Sequence, residues 1–181
     1  TTHQQLERYL THMVSNEQIN VNKRNGRGLE ALNIDKIHSM VGFATEGITG
    51  VSASHVEMNS GIQFFDKIST EDIQQILIKS ANDLISLENP NYQYVAARLL
   101  LFSLRKKLFH RLWEHPKFLN HIKICIEKGM YDEEILDNYT EAEIDRMGMW
   151  IDHERDYNFT YAGLRQVMDK YLVQDRSNGE I

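Results

Sequence analysis

The sequence predicts a mainly α chain of the α+β kind, with one small β-hairpin near its N-terminal side. Three observations carry this reading. Only 2 of the 181 residues are proline and 41% are hydrophobic, a globular composition that suits packed helices. Apolar residues recur at three- and four-residue spacing through most of the chain, which marks amphipathic helices. The stretch Ile19–Lys36 departs from that period, with Val21 and Lys23 alternating with Asn20 and Asn22 in a strand-like pattern. Asn25-Gly26 and Gly28 supply the positive φ angles of a tight connection, and Leu29–Leu32 reads as the return strand.

The remaining elements follow in order. Residues 1–18 read as a short amphipathic helix carrying Leu6, Tyr9, Leu10 and Met13, able to pack on the body, pair with a partner or fray. Asn33 can cap a helix that begins at Ile34, has Asp35 in its first turn and buries Ile37, Met40, Val41 and Ala44. That helix should end near Gly47, with Gly50 in the following loop. Ser52 or Ser54 can cap the next helix, with Val56, Ile62, Phe64 and Phe65 as its apolar positions. Ser69-Thr-Glu-Asp72 resembles a capping box with Asp in place of Glu and starts a helix through Ile73, Ile76, Leu77, Ala81, Leu84 and Ile85.

Asn89-Pro90 breaks the chain before a helix from Tyr92 to about Leu108, with Val95, Leu99, Phe102 and Leu108 inside. Its end carries Arg105, Lys106 and Lys107, as the helix dipole favours, and a solvated terminus is the usual fate of such a triplet. Phe118–Lys128 reads as a helix with Gly129 just past its end. Thr140-Glu-Ala-Glu143 is a capping box for a helix towards Trp150, and a last helix covers about Tyr161–Tyr171. Tyr171–Val173 then turns strand-like ahead of Ser177-Asn-Gly179, which reads as an interrupted hairpin and predicts a fragment or one piece of a split protein.

Charge narrows the function. The net charge of −6 argues against a nucleic-acid binder. No apolar run approaches the ~20 residues of a membrane span. The single cysteine, Cys125, excludes a disulfide framework or zinc ribbon within the chain, and Ile122–Ile126 reads as the apolar side of a helix holding a buried thiol. A reducing, cytoplasmic setting fits this usage. Residues 103–128 are mostly basic and 131–156 rich in Asp and Glu, so the acidic run either faces solvent or docks on basic neighbours.

The hairpin is the stretch that suggests chemistry. Lys23, Arg24 and Lys36 can converge with Glu30 and Asn33 around one small volume. Two or three cations beside backbone N–H groups at a helix start suit a polyphosphate. A polar surface turn with solvated lysines has the same composition. Other motifs are weaker. Gly26-x-Gly28 lacks the rest of a dinucleotide fingerprint and there is no Walker sequence. His153-Glu-Arg-Asp156 lacks zincin spacing and reads as a surface or supporting cluster rather than a metal site, and Tyr161 and Tyr171 read as core aromatics rather than radical carriers.

Several strings in this order and spacing resemble a known family. Val21–Gly26 followed by Asn33–His38, then Thr70–Ile73, Ile78–Ala81, Pro90–Arg98 and Leu104–Lys107, resemble the ATP-cone domain. Gly129–Asp132, Asp152–Asp156, Phe159–Tyr161 and Lys170–Val173 extend the similarity to the N-terminal part of the large subunit of class I ribonucleotide reductase. The resemblance runs from about residue 19 to the last residue. It implies an ATP cone over about 19–108, a hairpin or three-stranded sheet covered by four helices. It also implies a helical segment over about 109–181 leading to a catalytic barrel, with 1–18 as an extension. The family's radical-forming cysteine and redox pair have no counterpart here, so the resemblance implies no catalytic residue and no catalytic cofactor in these residues.

The family's cone is an overall activity site at which ATP sustains and dATP switches off deoxyribonucleotide synthesis. Carried over residue by residue, Lys23 and Arg24 would contact phosphate from the first strand. Glu30, Ala31, Leu32, Asn33, Ile34, Asp35 and Lys36 would wrap the nucleotide, with Glu30 and Asn33 near base or ribose and Lys36 near phosphate. Thr70 would touch the ligand from the capping turn and Lys106 would reach the phosphates from a helix end. Mg²⁺ would accompany the triphosphate without protein side-chain ligands. The implied partners are ATP or dATP, the rest of the large subunit and the small radical-bearing subunit. Against the family pattern, the hairpin between Arg24 and Glu30 is one residue longer, Gln74 stands where many relatives carry a contacting His, and residues 1–18 have no counterpart in shorter relatives. A cone that serves only as a subunit-interaction module, or a non-enzymatic ATP-cone regulator, are the alternative expectations.

Overall fold

The computed structural model describes residues 19–23, 28–61 and 63–181. The expected N-terminal helix, Arg24 with the hairpin tip, and Ile62 lie outside the described residues. The described chain falls into two compact units, one running to Leu100 and including Thr160–Ala162, the other comprising Leu101–Phe159 and Gly163–Ile181.

In the first unit, β1 (Asn20–Asn22) lies between β2 (Leu29–Ala31) and β3 (Ile68–Ser69). The β1–β2 pair is antiparallel with Val21 opposite Glu30, as the alternation at Ile19–Leu32 requires. The β1–β3 pair is parallel with Val21 beside Ile68. Residue-level patterning gave no sign of β3, which is only two residues long, and only the family resemblance allowed a third strand. Ile68 is fully buried and Val21 nearly so, so this small sheet is anchored by apolar contact on one face. Asp66 adds a polar tie: its carboxylate accepts from the Asn20 backbone N–H at 2.9 Å and from Asn20 Nδ2 at 3.1 Å. The Asn20 bonds, the backbone one first, hold the Asp66 carboxyl below its ordinary range.

Four helices accompany the sheet. Helix α1 (Ile34–Thr45) buries Val41 and Ala44 and has Asn33 as its N-cap. Helix α2 (Ala53–Gly61) stops earlier than the apolar spacing suggested. Phe64 and Phe65 lie in the turn that climbs to β3, and Phe65 is exposed. Helix α3 (Thr70–Asp83) starts at Ser69, whose hydroxyl accepts from the Asp72 N–H. Leu84 and Ile85 lie beyond its last turn rather than inside it. Helix α1 packs on α2, and α2 on α3. Helix α4 (Tyr92–Phe109) is apolar on most sides, burying Tyr92, Val95–Ala97 and Leu99–Phe102. Its start is tied back to the α1–α2 connection, where Tyr92 Oη accepts from the Ser52 N–H at 3.0 Å and Arg98 donates to the Glu46 carbonyl at 2.7 Å.

The second unit contains α5 (Phe118–Glu127), α6 (Glu134–Asn138), α7 (Glu141–Gly148), a 3₁₀ segment (His153–Asn158) and, from Gly163 on, α8 (Tyr161–Lys170), of which α6 and the 3₁₀ segment were not foreseen. The ends of α5 and the start of α7 follow the sequence signals. Gly129 takes φ +69°, while the Gly129 and Met130 N–H groups close onto the Ile126 and Cys125 carbonyls, the Schellman arrangement. The Thr140–Glu143 capping box forms in both directions. Helix α7 ends at Gly148 rather than Trp150, and Trp150 is 75% exposed. Leu119, Ile122 and Ile144 form a core between α5 and α7. Cys125 is buried, and desolvation raises its thiol above the ordinary range, as expected of an inert packing thiol.

Three expectations fail in this unit. Arg105 is not a solvated end of the basic triplet: it is 4% exposed, and its guanidinium donates to Asp156 Oδ2 at 2.9 Å, Tyr157 Oη at 3.1 Å and the His153 carbonyl at 3.4 Å. Tyr171 is 72% exposed and not a core aromatic. The segment Tyr171–Val173 is not a strand, and the expected hairpin reduces to one antiparallel bridge between Asp175 and Glu180.

Packing at the α5–α7 crossing gives a sharp test. A Cβ on Gly148 would sit 2.7 Å from Phe118 Cβ, closer than van der Waals contact allows. Gly148→Ala should lower stability by about 1–3 kcal/mol despite the better helix propensity of alanine. Chemical denaturation of the 181-residue chain checks this, and an unchanged or raised midpoint would show that the two helices do not approach so closely.

Candidate functional site

The sheet register brings the candidate residues of the first unit together. Residues directly opposite across a strand pair share a face, as do residues two apart. Val21, Lys23 and Glu30 therefore lie on one face. Lys23 follows directly on β1, and its N–H donates to the Gly28 carbonyl at 3.1 Å to close the hairpin. Its ammonium is paired with the Glu30 carboxylate. Lys36 Nζ approaches the other side of the same carboxylate at 3.7 Å. One carboxylate is thus flanked by two cations from different elements.

The Lys23 hydrogen bond first, opposed by desolvation and reinforced by the charges of Lys23 and Lys36, holds Glu30 below the usual carboxylate range. The group faces solvent, so the pairing is screened and exchangeable.

The start of α1 completes this wall. Asn33 adopts an extended conformation and its Oδ1 accepts from the Lys36 N–H at 3.0 Å. The N–H groups of Ile34 and Asp35 belong to the first turn, where a helix has no internal acceptors for them. Ala31 closes β2 opposite Asn20, and the Leu32 N–H donates to the Ile19 carbonyl at 2.8 Å. Ala31, Asn33, Ile34, Asp35 and Lys36 are exposed, and Leu32 is half-buried. The segment is a surface rim, not part of the core.

A second helix start lies at the other end of β1. Asn22 pairs with Ser69 in the parallel register, so the chain passes from β3 into Thr70, the first residue of α3, beside the point where β1 ends at Asn22. Gln74 lies about one turn further along α3 and is 7% exposed. Buried amides hydrogen-bond but carry no charge at any pH, so this position contributes polarity without cationic character. Lys106 is half-buried in the last turn of α4 and belongs to the second unit.

Asp66 had no local signal in the sequence, because the strand it ties lies 46 residues away. It acts on the site only by holding β1 to the turn before β3.

The second unit holds one further titratable cluster. His115 and His153 stack with ring centroids 3.5 Å apart and planes 4° from parallel, and with Asp156 they place donor atoms within 4.8 Å of one another. Parallel rings at that separation cannot both aim an in-plane nitrogen lone pair at one ion, and Asp156 already accepts from Arg105. Desolvation first, then His153 and Arg105, lowers the proton affinity of His115. The cluster reads as a stacked pair beside the buried Arg105, whose guanidinium donates to Asp156 and to the His153 carbonyl.

Comparison with known proteins agrees with this architecture. The ATP cone domain matches residues 19–107, the stretch that contains the three-stranded sheet and α1–α3 together with most of α4. The chain is 48% identical over 166 residues to the ribonucleoside-diphosphate reductase 1 subunit alpha of Salmonella typhimurium, covering 92% of this chain and 22% of that protein. The alpha subunit of Escherichia coli strain K12 gives the same identity and coverage. That of Enterobacteria phage T4 is 42% identical over 163 residues, covering 90% of this chain and 21% of its own. The chain spans about a fifth of the length of these curated relatives. Residues 19–107 are an ATP-cone domain, and the chain belongs with the N-terminal part of the ribonucleoside-diphosphate reductase alpha subunits.

Proposed function

We propose that the first unit is an effector site for ATP and dATP, bound with Mg²⁺, that regulates a ribonucleoside-diphosphate reductase. The proposed contacts in this unit are Lys23, Arg24, Glu30 to Lys36, Thr70 and Gln74. ATP would sustain the enzyme and dATP would switch it off, so occupancy would control deoxyribonucleotide synthesis. The partners would be the rest of the large subunit and the small radical-bearing subunit, in the cytoplasm. No described helix is long and apolar enough to cross a membrane. No catalytic residue is assigned among the 181.

The observation that carries this reading is the Glu30 carboxylate set between Lys23 and Lys36 beside the Asn33-capped start of α1. Two ammonium groups and the N–H groups of a helix start at one rim suit a polyphosphate. Mg²⁺ suits the triphosphate more than the protein. Glu30 is already engaged by two cations and makes a poor ligand for a dication. The ion would therefore take phosphate oxygens and keep water elsewhere. Regulation would follow by linkage: an effector that binds one subunit arrangement more tightly shifts the population towards it.

A second reading has one observation in its favour. Glu30 already neutralises charge from both lysines, as a cone retained only for subunit contacts could tolerate. Thermal melting separates the two. A ligand that binds only the native state at 100 times its Kd adds about 2.7 kcal/mol. Saturating MgdATP should therefore raise the melting temperature of the chain by several degrees, whereas no shift would favour the interaction module.

Substitution tests the residues. Lys23→Ala and Lys36→Ala should each weaken dATP binding at least several-fold in calorimetry while leaving the melting temperature of the empty protein nearly unchanged. Unchanged affinity in both variants would remove the assignment of this rim as the phosphate site.

A further inference from the structure

The geometry of the Lys23–Glu30–Lys36 cluster points to Glu30 as an internal stand-in for phosphate, so that we infer nucleotide binding to be an exchange of anions rather than the filling of an empty cationic pocket. This inference rests on the reading of the first unit as a triphosphate site. Three features support it. The carboxylate belongs to the sheet, opposite Val21, and reaches both lysines without help from any other element. Its two cations come from separate elements, the end of β1 and the first turn of α1, so one anion bridges the two sides of the rim. The cluster faces solvent, with the Lys36 side chain 71% exposed and Glu30 42% exposed, so an incoming anion can reach the lysines directly.

The consequence is a threshold on ligand charge. A triphosphate carries several negative charges and offers many acceptor oxygens, so it can satisfy both ammonium groups and compensate for the displaced carboxylate. A monophosphate or the uncharged nucleoside competes poorly with a carboxylate that the protein holds at short range and high effective concentration. The same carboxylate that keeps the empty site quiet would thereby select for highly charged ligands. Once displaced, Glu30 becomes available to the ribose or base.

The test uses the full 181-residue chain, calorimetry, and two probes: inorganic tripolyphosphate, which isolates the phosphate contribution, and dATP. Glu30→Gln keeps shape and hydrogen bonding but removes the competing charge. It should tighten tripolyphosphate binding at least about three-fold. Glu88→Gln removes one negative charge elsewhere in the same unit and should leave tripolyphosphate affinity unchanged. Thermal melting of each variant confirms that it is folded. Wild-type binding with equal or weaker affinity in Glu30→Gln would overturn the exchange while leaving the effector site intact. Equal tightening in both Gln variants would also overturn it, because net charge alone would then account for the gain. Failure of the wild type and of Glu30→Gln to bind either probe would remove the effector site and the exchange with it.

Discussion

The first unit depends on one strand being held from both sides. Strand β1 is only three residues long and would not persist alone. It pairs antiparallel with β2 and parallel with β3, and both registers run through Val21, whose side chain is buried with that of Ile68. That double pairing sets everything of functional interest. It puts Glu30 on the face of Lys23, sends β2 into α1 so that Lys36 returns to the same carboxylate, and starts α3 at Thr70 beside the end of β1. A one-residue slip of β1 against β2 would turn Lys23 to the opposite face and dissolve the cluster.

The two units use charge differently. In the cone Lys23 and Lys36 are paired through one exposed carboxylate, that of Glu30, and can change partners at small cost. In the second unit Arg105 is buried, spreads its donors over Asp156, Tyr157 and the His153 carbonyl, and lies 5.3 Å from the Tyr157 ring centroid. A buried guanidinium of this kind cannot give up its carboxylate without a large desolvation cost. The neighbouring basic residues Arg105 and Lys106 thus have different fates, with Arg105 fixed in the core and only Lys106 left as a candidate ligand contact. Exposed pairs suit a site that must release its ligand, and buried ones suit a scaffold.

Much of this was legible in the chain because the signals are local. The Asn33 cap, the Ser69 start of α3, the Thr140–Glu143 box and the Gly129 end of α5 each depend on side chains within a few residues of the backbone they satisfy. The hairpin and its convergent lysines were readable for the same reason. Features set by distant partners were not. Strand β3 is too short for periodicity and exists because β1 offers it an edge. Arg105 reads as a solvated helix end until Asp156 and Tyr157 arrive from about fifty residues away. Helix α2 ends at Gly61 because the chain must turn to reach β3, although Phe64 and Phe65 continue the apolar spacing. Tyr171 and Val173 look strand-like from composition, but the bridge forms further on, between Asp175 and Glu180.

The claim that the rim formed by β1, the start of α1 and the start of α3 is one ligand site is tested most directly by mapping amide and lysine ammonium resonances of the chain during titration with MgdATP. Perturbations should concentrate at Lys23, at Glu30 through Lys36, and at Thr70 and Gln74, with both lysine ammonium signals moving together. Perturbations confined to residues 118–170, or none at Lys23 and Lys36 at saturating nucleotide, would contradict it.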